Sequence, residues 1–539
     1  MVITVTTTSD ATNGTVSSVA ELMSSPGRDG ISLREALEVT NNDPGLYTIR
    51  FAAALARKTI RVGSSGLAGL PRLTGGGVFV NGDINTDGQP DVTLLRAFDP
   101  ATGFGLTIAS SGNRLHALTV RDFEYAVGLI ASGTGRTYSN NVVSRMVMKN
   151  VHKGGIAGFG GTRGDTHSRW VGTRLIGNTI ESGLGGIELF QQYAGEVVDG
   201  ITIADNSIRI HHQGHRLGDG IRLVSGAGAS SNGNRLSDVL IADNSIEGNA
   251  TNGIGLVSGQ VGAKSNTVQR VRIVGNRVRL EPAVGVAINV VTGDGATDFV
   301  YPKLRPIRYP DGNRVRDVEI SRNTVVAGTG VGVFGGCCGA ARNTVRDVRV
   351  SHNVIRTSGP FAGVLVDGGG DGNHFSRAST RNVVSNLTIE ANRITTVRPG
   401  SLTPDSGAIV LRGGRNGRAN EVKDARITNN RVDTRLIGIS LIGGFGDPGD
   451  PPPPFGAMGN VVVRISVRGN RVLRAPMVTA RFEPRTKGIS LVGGAFRARG
   501  NRVTCVRMSD NTVAGVRNDI SVVANVSGAS GNTASLKGC

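Results

Sequence analysis

The chain has 539 residues, of which 80 are glycine and 4% are aromatic, and its formal net charge is +19 from 60 basic and 41 acidic residues. No apolar run is long enough to cross a membrane as a helix, which excludes a helical membrane protein. The excess charge points to polyanionic partners such as acidic polysaccharide or cell-surface polymer. All but eight of the basic residues are arginine, which a codon bias toward arginine would also produce with no partner at all. No basic run has the register of a nucleic-acid motif, so DNA and RNA are disfavoured.

Residues 1–110 read differently from the rest. Met1 leads straight into VITVTTTSD without a signal peptide. The chain is then either cytosolic or a mature exported form with a start methionine; the second is preferred, which places it outside the cell or at its surface. The stretch ISLREALEVTNN opens on a capping box, with Ser32 as N-cap and Glu35 three residues on. Leu33, Ala36 and Leu37 share one face of a short helix that Asn41 to Gly45 ends. YTIRFAAAL and KTIRV follow as strands.

Residues 82–91, GDINTDGQPD, alternate Asp83, Asn85 and Asp87 before Gly88, and Asp91 follows. A hard cation such as Ca²⁺ takes several oxygens from a tightly wound loop with glycine at the sharp turn. Leu94 stands where an EF-hand would place its bidentate glutamate, so the expectation is a calcium loop of another kind. The alternative is an Asx-rich turn without metal.

From residue 113 one sentence is written repeatedly: an asparagine, a strand, a second asparagine ten residues later, a short strand, then a third strand often closed by Gly-Gly. The pairs are 113/123, 140/150, 168/178, 196/206, 234/244, 266/276, 313/323, 343/353, 382/392, 420/430, 460/470 and 501/511, with Ser168, Glu196 and Phe123 as exceptions. A constant core with variable spacers marks a solenoid. In the repeat from Asn234, the residues Leu236, Val239, Ile241, Ile246, Ile254 and Leu256 alternate with polar residues or glycine. That period of two denotes short strands with one buried face. The fold class expected is all-β, a right-handed parallel β-helix of about twelve coils over residues 111–539, with a short N-terminal capping helix in 1–110. At a spacing of roughly 4.8 Å this makes a rod of roughly 55–60 Å. Asparagines at the corners can hydrogen-bond along the stack.

The N-terminal segment resembles the "CSLREA" segment found ahead of right-handed β-helices in many bacterial surface and secreted proteins. Ile31 stands where that family has cysteine. The coils resemble the pectate-lyase-like superfamily, whose members include lyases, hydrolases, epimerases, adhesins and tailspikes. The resemblance implies an exported β-helix and leaves its activity open.

Two regions carry candidate site residues. Glu188 and Arg222 follow Ile187 and Ile221 at one repeat position, and the loop HHQGHRLGDG adds His211, His212, His215 and Asp219. A carboxylate, a guanidinium and imidazoles on one patch can neutralise a uronate and move a proton; an ordinary exposed ion pair is the plain alternative. The insertion 293–312 interleaves Phe299, Tyr301 and Tyr309 with Lys303, Arg305 and Arg308, rings for sugar faces and cations for carboxylates. Cys337 and Cys338 are adjacent, which is poor metal-ligand spacing, and Cys505 and Cys539 either bridge or stay as thiols. The functional expectation is a surface module binding polyanionic glycans or surface partners. Its rival is a polysaccharide lyase or glycoside hydrolase acting on an acidic polysaccharide.

Overall fold

The computed structural model describes residues 1–64, 69–97, 103–131, 133–161, 165–211, 218–281, 285–294, 309–357, 362–370, 378–396, 407–435, 437–446, 456–474, 487–515, 518–526 and 528–536. Strands dominate and fall into three sheets, in which every registered pairing is parallel. The fold is a parallel β-helix. Two compact units divide the chain, one of residues 1–222 and 237–250, the other of residues 223–236 and 251–539.

In the first unit the helix Leu33–Asn42 forms with the expected capping box. Ser32 Oγ accepts from the Glu35 N–H at 3.1 Å and Glu35 Oε2 accepts from the Ser32 N–H at 2.8 Å. Leu33, Ala36, Leu37 and Val39 are fully buried, and Pro44 follows the C-cap Asp43, where a helix cannot continue. The residues after the helix start are less expected. Arg34 and Glu35 are buried, and each ties the helix to the preceding loop. Arg34 forks onto Asp10, while Glu35 Oε1 accepts from the Asn13 and Gly14 amides at 2.7 and 2.6 Å.

The core of this unit is a stack of identical positions. Ile3, Ile49, Val80, Leu115, Val143, Leu175, Ile203 and Ile241 are successive registered partners, and all are fully buried. Each contributes roughly 1.5–3 kcal/mol by leaving water. The second unit repeats the device with Ile273, Ile320, Val350, Ile389, Ile427 and Val467.

Corners are made by a residue in the left-handed region followed by a buried asparagine, for example Arg322–Asn323, His352–Asn353 and Asn429–Asn430. In the second unit Asn276, Asn323, Asn353, Asn392, Asn430, Asn470 and Asn511 form one column, each Nδ2 donating to the next Oδ1 at 2.9 to 3.0 Å. The backbone N–H of the donor reaches the same oxygen, as from Asn323 to Asn353 at 2.9 Å. The second amide proton takes a strand carbonyl, as from Asn353 to Ile320 at 2.9 Å. Buried amides are thereby satisfied at every valence. A second column runs through Asn266, Asn313, Asn343, Asn382, Asn420, Asn460, Asn501 and Asn532. The Gly-Gly pairs make room for it. A Cβ on Gly444 would lie 2.4 Å from the Asn501 side chain, and one on Gly443 2.3 Å from the Gly493 carbonyl oxygen.

Two of the expected repeat frames are wrong. Asn140 does not align with Ser168. The Arg174 amide bonds the Asn141 carbonyl and the Thr202 amide bonds the Thr173 carbonyl, so Asn141 and Thr173 are the equivalent positions. Asn113 belongs to that set too, its N–H donating to Asn141 Oδ1 at 2.9 Å. The corner that Asn178, Asn206 and Asn244 occupy is held by Met146, whose amide bonds Asn178 Oδ1 at 3.0 Å. Here the corner residue is apolar, and the nearby asparagines serve the kink between two short strands instead. Asn150 is exposed and bonds Asp122.

Among the described residues, no helix is long and apolar enough to cross a membrane. Cys337 and Cys338 form a disulfide with each other. Cys505 is also disulfide-bonded, and Cys539 lies outside the described residues.

Candidate functional site

The first unit gathers ionisable and aromatic side chains on the outer face of one sheet. Its strands Phe104–Ile108, Tyr125–Ala131, Gly154–Gly161 and Gly185–Gln191 stack in register, with Phe104 on Tyr125, Tyr125 on Gly154 and Gly154 on Gly185. Inward residues Val127, Ile156 and Ile187 are fully buried. Alternation therefore turns Gly128, Ala157 and Glu188, which share one register column, to the outside.

Small residues leave this face low in the middle. The Phe104 ring lies over Gly128, where a Cβ would meet it at 2.8 Å, and the Tyr125 ring lies over Gly154. Phe104 and Tyr125 stack with centroids 5.4 Å apart. Glu188 folds back over Gly185, where a Cβ would meet its carboxyl group at 2.8 Å. Glycine is required at 185 for that pose.

Asp219 and Arg222 open the next strand. Asp219 is 1% exposed, and Arg222 Nε stands 3.4 Å from Asp219 Oδ2. The Arg222 guanidinium also lies 5.7 Å from the centre of the Phe190 ring. Arg222 thus pairs with Asp219, and the exposed Glu188–Arg222 pair is not what forms. Glu188 is pushed up to about 7 by burial first and by the Asp219 carboxylate second, against the pull of Arg222 and Lys153. Burial and then the charges of Glu188 and Glu124 raise the Tyr125 phenol, so it keeps its proton. Lys153 pairs with Glu124, whose Oε2 accepts from the Gly103 amide at 2.9 Å. The chemistry available is a carboxyl group that changes charge near neutrality, a protonated phenol beside it, and two cations.

Of the residues proposed from sequence, Glu188, Asp219 and Arg222 come together. His211 is exposed at the end of strand Ser207–Ile210, with its amide on the Ser182 carbonyl at 2.9 Å. His212 and His215 lie outside the described residues, as do Phe299, Tyr301, Lys303, Arg305 and Arg308. Tyr309, in the second unit, packs over Gly339. It lines a hollow of about 680 Å³ with Lys264, Asp311, Gly339 and Thr380.

Asp83, Asn85, Asp87 and Asp91 share one loop that closes largely on itself. Asp91 Oδ2 accepts from the Ile84 and Asn85 amides, Asp83 Oδ2 from Gly88, and Asp87 Oδ1 from Gln89. Gly88 has φ 80°; a Cβ there would meet the Arg145 guanidinium at 2.1 Å. Asp83 Oδ1 is buried with no hydrogen-bond partner, an acceptor that a cation would satisfy.

Tyr125, Phe104, Lys153 and Glu124 escaped the reading of the sequence. The signal was present: Gly154-Gly155-Ile156 repeats as Gly185-Gly186-Ile187, and that frame carries the site back through the earlier coils.

Neither a family model nor a curated protein matches the chain in sequence. In structure it is similar to the A-module of an Azotobacter vinelandii mannuronan C-5 epimerase, with 12% identity over 93% of each chain and a TM-score of 0.31. It is also similar to a tailspike protein of an E. coli bacteriophage, with 11% identity over 92% of this chain and 74% of that one, and a TM-score of 0.41. The Dettilon tailspike protein matches at 12% identity over 91% of this chain and 64% of that one, with a TM-score of 0.27. The site stands on its own residues.

Proposed function

We propose that the protein acts on an anionic polysaccharide at the Glu188 face, moving a proton on a uronate-type sugar. The observation that carries this reading is Glu188 itself, a carboxyl group raised to about 7 beside Asp219, Arg222 and Lys153. An anionic sugar needs its carboxylate neutralised before a neighbouring C–H proton becomes acidic, and Arg222 and Lys153 supply cations for that. Glu188 in its ionised form takes the proton, and the Tyr125 phenol, which burial and then the Glu188 charge keep protonated, supplies one. The stacked Phe104 and Tyr125 rings offer an apolar surface to a sugar face. Incubation with a panel of uronate polymers, followed by ultraviolet absorbance for unsaturated ends and by reducing-end assay, tests the reaction. Glu188→Gln should bind polymer and not turn it over.

A second reading has its own observation. In the second unit Arg393, Arg431 and Arg471 are registered partners, all exposed. At the roughly 4.8 Å spacing of paired strands they form a short cationic stripe. A surface module would hold a polyanion there with no chemistry, and binding without turnover by any polymer is its signature.

An extracellular or surface setting accompanies both readings. Cys337, Cys338 and Cys505 are all disulfide-bonded, which suits an oxidising compartment. Calcium at Asp83, Asn85, Asp87 and Asp91 is a separate proposal, supported by the unpartnered Asp83 Oδ1 and by the oxygen chemistry of the loop.

A further inference from the structure

Adjacent cysteines are poor metal ligands by spacing alone, but stacking of coils brings them a third group. Cys337 follows the Gly335–Gly336 pair that closes strand Thr329–Phe334. The Cys337 amide donates to the Gly293 carbonyl at 2.7 Å, and the Cys338 amide donates to the Gly370 carbonyl at 3.2 Å. Isolated bridges run from Asp294 to Cys337 and on to Gly370. The two cysteines are therefore pinned by the coil before and the coil after, through backbone bonds that do not involve sulfur. Cys338 is 1% exposed, while Cys337 and Asp294 are partly open to solvent. A carboxylate oxygen of Asp294 and the two sulfurs all lie within 4.8 Å of one another. Gln260 Nε2 donates to Asp294 Oδ2 at 3.3 Å, which orients the carboxylate. The same turn continues through Gly339 and Ala341, which line the hollow beside Tyr309.

We propose that this corner is a redox-gated site for a thiophilic divalent cation, closed while Cys337 and Cys338 are a disulfide and opened by an external thiol. In the opening step two molecules of the external thiol give up two electrons and two protons and become a disulfide. The Cys337–Cys338 sulfur–sulfur bond breaks, and each sulfur receives a proton. In the binding step a divalent cation displaces both thiol protons to solvent and is held by two thiolates and the Asp294 carboxylate. Two sulfurs select borderline and soft ions such as Zn²⁺ and Cd²⁺ over Mg²⁺ or Ca²⁺. The backbone anchors persist in the reduced form, so the three ligands stay gathered when the bond opens.

The test uses the full chain, reduced with excess monothiol, desalted under argon, and titrated with Cd²⁺ and then Zn²⁺. Expected are thiolate-to-cadmium charge-transfer absorbance saturating at one ion per chain, proton release on binding, and neither signal before reduction. The double variant Cys337→Ser, Cys338→Ser should lose the signal, and Cys505→Ser, which removes the other disulfide that the thiol opens, should keep it. Asp294→Asn, which leaves both sulfurs in place, should weaken Zn²⁺ binding by at least about tenfold. No cadmium signal in the reduced wild type, equal binding before and after reduction, or unchanged binding in the double serine variant would each overturn the proposal.

Discussion

Arg34 and Asp10 form a buried, two-pronged ion pair. Nη2 meets Oδ2 at 2.8 Å, and Nε meets Oδ1 at 3.1 Å. The side chains are 6% and 0% exposed. Asp10 Oδ2 also accepts from the Gly63 amide at 2.6 Å, so one carboxylate joins the first loop, the helix Leu33–Asn42 and the strand Thr59–Val62. Removing one partner strands a buried charge, which costs about 3–5 kcal/mol. Arg34→Ala and Asp10→Asn should each show that loss in chemical denaturation of the first unit. Arg34→Lys should recover only part of it, because an ammonium cannot make the fork. A loss below about 1 kcal/mol, the range of a surface pair, would contradict the assignment.

Glu196 gives a pH dependence with a definite sign. Burial raises it from the ordinary 4.5 to about 8, against hydrogen bonds from Tyr193 and Ser168 that favour the charged form. It is 2% exposed. The folded state keeps a proton that the unfolded state releases. Stability from this group is full below 4.5 and falls as pH rises toward about 8. Glu196→Gln should remove that slope and melt higher than wild type at pH values above 8. Parallel melting curves across this range would contradict it.

The asparagine column predicts an unequal cost for two substitutions. Asn353 Oδ1 accepts from both the N–H and the Nδ2 of Asn323. Asn353→Ala leaves those buried donors without an acceptor, at about 1–3 kcal/mol for each unsatisfied group. Asn150→Ala, at an exposed asparagine outside the column, should cost less, about 1–2 kcal/mol, because its left-handed φ of 51° disfavours alanine. Denaturant titration of both variants decides it.

The architecture was legible because the buried positions repeat. Ile241 and Ile273 sit in alternating strands whose period of two is plain in the sequence, and each asparagine corner in the second unit announces itself. The candidate site was legible only where that frame was right. Glu188 and Arg222 follow isoleucines of the third strand and were found. Tyr125 and Lys153 follow the two misaligned pairs, where Leu118 and Met146 replace the corner asparagine, and so were missed. Glu35 reads only as the partner of Ser32 in the capping box and Arg34 carries no reading, because the helix pattern does not reveal that the loop Asp10–Gly14 folds over them. The Asp294–Cys337–Cys338 cluster joins residues from successive coils separated by a long insertion, which no local spacing encodes.

Calcium at the 82–91 loop has a thermal test. An ion that binds only the folded state adds about 2.7 kcal/mol at a hundredfold excess over Kd. A chelator should lower the melting temperature of the first unit, and Asp87→Ala should abolish the chelator's effect. Identical melting with calcium and with chelator, together with no heat on titration, would leave the loop as a turn closed by its own amides and Arg145.

The most direct test of the functional account is turnover of uronate polymers by wild type and Glu188→Gln across the neutral pH range. The account predicts that at least one polymer is modified, that the rate rises with pH through about 7 as Glu188 ionises, and that Glu188→Gln binds this polymer without turnover. Binding of the polymers with no turnover at any pH, or equal rates in wild type and Glu188→Gln, would contradict it.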